Sequence, residues 1–309
     1  MQARLERPSR LAALAAAFVL LTVLVACSGG SKQSATTDSA PPTSSGPATS
    51  VPPTTAAGPT TAPASAPTTA ALQPIDLRVY FMRGASVGAA HRRVAGTVAT
   101  ARAAMNELLA GPTADETTAG LSSTIPRGIS LLGINIADGT ATVDLSGGFA
   151  GSADAKAMAG RFAQVVFTLT QFPTVSRVAF HLDGRAVAVT GPAGAALAGP
   201  ASRADFEPAS PAILVETPTP GDHVSSPIRV AGTANVFEAT FLLELTDASG
   251  KVVVQQTAMA TSGSGTRGTF DVALRFATHQ AGPGKLTVFD ASAKDGSRQD
   301  VVDIPIVLA

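Results

Sequence analysis

The chain has 309 residues, no formal net charge, one cysteine, one tyrosine and no tryptophan. A lone cysteine excludes a disulfide within the chain, so any folded part rests on its apolar core. The absence of a basic excess argues against a nucleic-acid partner or a polybasic membrane patch, and the scarcity of Trp and Tyr argues against a sugar cleft built on stacked rings.

Arg4, Arg7 and Arg10 precede an uncharged apolar run over residues 11–25. At about fifteen residues, it is short of the roughly 20 that a spanning helix needs. This is the pattern of a cleaved secretory signal, predicted over residues 1–26. The tetrad Leu24-Val25-Ala26-Cys27 resembles a lipobox. The resemblance implies that Cys27 is acylated (palmitate and diacyl chains) and becomes the first residue of the mature protein. Two or more chains make an anchor stable where one is marginal. The expected location is the extracytoplasmic face of the cell membrane, with the lipid bilayer as first partner. Removing residues 1–26 leaves 19 basic and 21 acidic residues, a net charge near −2.

Residues 27–72 form the next segment. From Ser28 onward it is almost wholly Ser, Thr, Pro, Ala and Gly, a composition that cannot build a core. It predicts a disordered tether spanning roughly 35–40 Å as a coil, or nearer 140 Å if polyproline-like. Ser and Thr with Pro also suit O-glycosylation, and a bare linker is the equal alternative.

Residues 73–191 read as a small α+β domain. Leu77, Val79 and Phe81 alternate with Arg78, Tyr80 and Met82 as a strand does. Val94, Val98, Ala101, Met105, Leu108 and Leu109 have helical spacing over residues 94–110, closed by Gly111-Pro112. Ile134 with Ile136, and Val143 with Leu145, predict a hairpin about Asp138-Gly139. A second helix is expected over residues 153–170. Strands follow at 175–182 and 186–189, turning at Asp183-Gly184. The expected order is βαββαββ, helices on one face of a sheet.

Leu108-Leu109-Ala110-Gly111-Pro112, Ile125-Pro126, Val143-Asp144-Leu145-Ser146, the run Phe167-Thr168-Leu169-Thr170-Gln171-Phe172-Pro173 and Leu182-Asp183-Gly184 come in this order. Together they resemble the GerMN domain of sporulation and spore-germination lipoproteins. His91-Arg92-Arg93 stands where that family often has an acidic–basic pair.

Residues 192–211 read as a Gly/Ala/Pro/Ser linker with a charged patch from Arg203 to Glu207. Residues 212–309 carry strand signals only, seven short β-prone runs with turn signals between them, which predicts an immunoglobulin-like sandwich. Pro220-Gly221, Ser226-Pro227, residues 232–239 and residues 288–297 resemble the immunoglobulin-like domain of bacterial spore-germination proteins. The two resemblances imply an envelope role without catalysis.

No residue set points to a catalytic centre, a cofactor or a metal. His91, His181, His223 and His279 are scattered without metal-ligand spacing. Asp290, Ser292, Asp295 and Gly296 fail the EF-hand register, with Val301 where the bidentate Glu belongs. Nothing selects a carboxylate pair from Asp138, Asp144 and Asp154. Phe237 is expected in the core. Glu238 is expected either buried against Arg229 or Lys294, or exposed as a contact. The leading expectation is a lipid-anchored, non-enzymatic adaptor that binds another envelope protein. The alternatives are an enzyme or accessory factor of peptidoglycan metabolism and a small-ligand or glycan binder.

Overall fold

The computed structural model describes residues 72–277 and 281–309. The signal, Cys27, the tether before Leu72 and His279 lie outside the described residues.

The first domain opens with an antiparallel hairpin of β1 (Ile75–Arg83) and β2 (Ser86–Val94). It turns at Gly84, whose φ of +62° favours glycine. Helices α1 (Thr100–Ala110) and α2 (Ala114–Thr118) follow. Next come β3 (Leu131–Ala137), β4 (Thr140–Leu145), α3 (Ala155–Leu169), β5 (Arg177–Leu182) and β6 (Arg185–Val187). These last four strands form one sheet in the order β3-β4-β5-β6. The β4–β5 pair is parallel across the α3 crossover, and the outer pairs are hairpins. Asp138-Gly139 and Asp183-Gly184 turn both hairpins with positive φ throughout, as the sequence predicts. Phe162 of α3 meets Phe180 of β5 edge-on at 4.7 Å, with Phe149 beside both.

The domain is α+β, but the order of elements is ββααββαββ. Strand β2 is absent from the sequence-based expectation. Val87, Gly88, Ala89 and Ala90 are all buried, so neither alternation nor bulky β-formers mark the strand. The helix expected from Val94 begins at Thr100. Val94 instead pairs with Ile75, and Val98 is 90% exposed. Helix α2 is fixed by a capping box between Thr113 and Glu116.

Strand β1 has β2 on one edge only, and the other edge is closed by side chains and a loop. Gln171 Oε1 accepts from the Arg78 N–H at 2.9 Å, and its Nε2 donates to the Arg78 carbonyl. Thr168 Oγ1 accepts from the Tyr80 N–H at 3.0 Å. Met82 exchanges both backbone bonds with Ser122 at 2.8 Å. The end of α3, the Gln171 that follows it and the loop at Ser122 thereby take the place of a strand, and buried backbone groups stay paired.

The stretch 192–211, expected as a linker, is packed rather than free. Ala201 bridges Val178 beyond the edge of β5, and a 3₁₀ turn at Arg203–Ala209 places Phe206 and Ala209 in the first core. Phe206 is the one large aromatic of the stretch, and burying it holds the backbone down.

The second domain contains every strand the sequence predicts, β7 (Ile213–Thr217), β9 (Ile228–Ala234), β10 (Thr240–Thr246), β11 (Val252–Met259), β12 (Gly268–Leu274), β13 (Gly282–Ala291) and β14 (Arg298–Leu308), with a short β8 (His223–Val224) besides. One sheet runs β12-β9-β7 and the other β11-β10-β13-β14-β8. Between them lie Val230, Phe241, Leu243, Phe270, Leu286, Val288 and Ile304. Strand β8 joins β14 in parallel.

Gln171→Ala should leave both Arg78 backbone groups without a protein partner. The expected loss is about 1–3 kcal/mol, read as a lower urea midpoint with an unchanged slope.

Candidate functional site at the domain junction

Three chain segments converge where the two domains meet. Tyr80 comes from β1, Arg203 from the 3₁₀ turn and Glu216 from β7. The Tyr80 hydroxyl donates to Glu216 Oε1. Arg203 donates to the same oxygen at 2.8 Å and to the Tyr80 oxygen at 3.1 Å. It also reaches the Phe167 carbonyl at 3.1 Å and Thr170 Oγ1 at 2.9 Å. Its guanidinium lies over the Tyr80 and Phe167 rings at 5.0 and 4.8 Å. Burial would raise the Glu216 carboxyl, but the Arg203 charge and the hydrogen bonds from Tyr80 and Arg203 outweigh it and hold the group below the usual range. Burial pushes the Tyr80 phenol well above its ordinary value, with Glu216 adding to the effect and Arg203 opposing it.

Further ties flank this cluster. His91 Nδ1 lies 2.9 Å from Asp222 Oδ2, and the His91 N–H donates to Thr219 Oγ1 at 3.2 Å. Arg83 Nη1 donates to the Asp303 carbonyl at 2.8 Å. Glu207 pairs with Arg267 at 2.9 Å, and Arg267 also donates to the Pro211 carbonyl at 2.8 Å. Arg92, next to His91, serves the first domain instead. Its fork grips Glu116, with Nη2–Oε2 at 2.7 Å, and lies over Phe81.

The β3–β6 sheet has a packed face and an open face. Ala141, Val143, Leu145, Val178 and Phe180 face the core. By alternation, Asn135, Thr142 and Ala179 form one cross-strand row on the open side, and Gly133, Asp144, His181 and Ala186 form another. These side chains are small or polar. Edge strand β3 also exposes Leu132, at the register shift, and Ile136, which lies opposite Ala141 on the packed side.

The structure gives each candidate carboxylate a structural task and does not pair them. Asp144 accepts from the Gly184 N–H at 3.0 Å, Asp154 caps α3 at the Ala157 N–H at 2.7 Å, and Asp138 sits in its turn. Asp295 accepts from Ser297 within the β13–β14 loop. Among the described residues no three His, Cys, Asp or Glu side chains form a metal-holding group. Phe237 is a correction: it is 61% exposed, and Val236 takes the core position. Phe237–Ala239 make a 3₁₀ turn with Glu238 and Ala239 at positive φ, so adjacent side chains do not alternate across a sheet. Glu238 is exposed, and Arg229 pairs with Asp271 at 2.8 Å.

Sequence reasoning missed the junction cluster. Its signals were Tyr80 and Glu216 inside apolar strands and Arg203 at the head of the charged patch that ends at Glu207.

Fold and site define a two-domain protein in which an α+β module is joined to an immunoglobulin-like sandwich by buried polar ties. Residues 78–188 match the family model described as "Sporulation and spore germination". Residues 212–297 match that of the "Immunoglobulin-like domain of bacterial spore germination". The chain thus carries a GerMN-type domain followed by a spore-germination immunoglobulin-like domain. Among solved structures it is similar to the first GerMN domain of the sporulation protein GerM from Bacillus subtilis, with 23% identity over 42% of this chain and 98% of that one and a TM-score of 0.36. It is also similar to the tandem GerMN domains of that protein, with 17% identity over 67% of this chain and 63% of that one and a TM-score of 0.38. No curated protein matches the chain.

Arg203→Ala strands the Glu216 carboxylate and should cost about 3–5 kcal/mol of stability, measured by chemical denaturation. Glu216 titrates lower in the folded state, so its contribution holds above the ordinary carboxyl range and is lost as pH falls through the folded value. Stability of the native chain should therefore decline more steeply on acidification than that of Glu216→Gln. Tyr80 is the sole tyrosine, so phenolate absorbance reports this cluster alone. Its pKa is raised on folding, so stability holds below the unfolded value near ~10 and falls above it. Phenolate should appear together with unfolding in an alkaline titration.

Proposed function

We propose that the chain is an extracytoplasmic lipoprotein, held at the membrane by lipid on Cys27, whose two domains form a non-catalytic adaptor for another envelope protein. The carrying observation is the open face of the four-stranded sheet, with its rows of small or polar side chains beside the unpaired edge of β3. Small side chains let a partner approach the sheet closely, and a free edge offers backbone groups for strand addition. The carboxylates considered for catalysis serve turns and helix caps, which favours binding over chemistry. The polar ties between the domains fit a protein that presents surfaces of both together.

In cells, Cys27→Ser should move the protein from the membrane to the soluble extracytoplasmic fraction. Crosslinking of the anchored chain should recover one envelope protein reproducibly, and Thr142→Arg with Ala179→Arg on the open face should abolish that recovery while circular dichroism stays unchanged. Undiminished recovery from the double variant, or cleavage of purified peptidoglycan by the chain, would sink the reading.

A further inference from the structure

A cavity of about 260 Å³ lies where β2, β7 and β14 meet between the domains. Its wall is largely apolar, with Val87, Val215, Pro218, Val302 and Ile304 upon it, and Arg83 is the single charged side chain that lines it. Arg83 passes over Gly88, where an added Cβ would stand 3.7 Å from Arg83 Nε. That Nε is buried and has no hydrogen-bond partner among the described residues. The one bond from this guanidinium goes to a neutral acceptor, the Asp303 carbonyl. The Asp303 carboxylate is held elsewhere, by Thr287 Oγ1 at 2.6 Å and Lys285 Nζ at 3.2 Å. A guanidinium stays charged, and its planar fork matches a carboxylate. The site therefore joins an apolar container to an under-used cation.

We propose that this cavity binds a small carboxylate with an apolar body, its two oxygens on Arg83 and its hydrocarbon among the valines and prolines. A water's share of liquid volume is about 30 Å³, so the cavity holds about nine non-hydrogen atoms, enough for a six-carbon acid or for a terminal leucine residue whose acyl group stays outside. Two sources have this chemistry, a free short-chain or branched acid and the carboxyl-terminal apolar residue of a peptide. The site is separate from the open sheet face and does not depend on the adaptor reading.

The test is ligand-observed saturation-transfer NMR on the purified full chain. The probes are hexanoate and N-acetyl-leucine, each beside its uncharged amide. At least one acid should bind, and its amide should bind roughly tenfold or more weakly. Arg83→Met should weaken the acid by a similar factor and leave the amide unchanged. Val301→Trp, at the exposed mouth of the cavity, should block the acid with Arg83 intact, which keeps the test informative if the Arg83 variant misfolds. Preference for N-acetyl-leucine points to a chain terminus, and preference for hexanoate to a free acid. The proposal is overturned if acid and amide bind alike, if Arg83→Met keeps the preference, if Val301→Trp leaves acid binding intact, or if neither acid binds at millimolar concentration.

Discussion

The arrangement of the two domains depends on one buried interaction, the sharing of the Glu216 carboxylate between Tyr80 and Arg203. Two charges withdrawn from water are costly unless geometry and hydrogen bonding repay the desolvation. Here the Arg203 guanidinium donates from all three of its nitrogens, Glu216 Oε1 accepts twice, and the guanidinium also lies over two rings. The three residues come from the first strand of one domain, the segment between the domains and the first strand of the other. Displacing either domain would break a hydrogen bond and strand a charge. This accounts for a Gly- and Pro-rich connection that nevertheless packs, since the turn bearing Arg203 also buries Phe206.

The same logic explains the run Phe167 to Pro173. Phe167 packs against Tyr80 at 5.6 Å, Thr168 and Gln171 close the free edge of β1, and Thr170 accepts from Arg203. The end of one helix and the residues just after it thus satisfy a strand backbone and help position the junction arginine. The motif marks packing and hydrogen-bond duty rather than chemistry.

Much of this was legible in the sequence. The Asp-Gly turns, helix α3 and the strands of the sandwich follow from local periodicity and turn chemistry, and they appear where predicted. Strand β2 was hidden because Gly88, Ala89 and Ala90 carry no pattern, and what buries them is distant in sequence. Phe237 misled for the opposite reason. Its environment looked extended, but a positive-φ turn reoriented it. The junction cluster was illegible because its members lie 123 and 136 residues from Tyr80, and only the folded chain brings them together.

With a single cysteine, the chain joins its segments through arginines. Arg92 takes Glu116, Arg203 takes Glu216, Arg267 takes Glu207, and Arg298 takes Glu244 while lying 4.3 Å over Phe289. Each pairing consumes a carboxylate that could otherwise serve acid–base chemistry, so the glutamates that are buried or nearly so are structural. Arg161 has no carboxylate, yet it is settled by the carbonyls of Thr124, Phe149 and Gly151. Arg83 differs from all of these. It has a single carbonyl partner, a buried Nε with none, and apolar walls around it. Arg78 shares with it a buried Nε without a partner, but it is Arg83 that stands on the wall of this cavity.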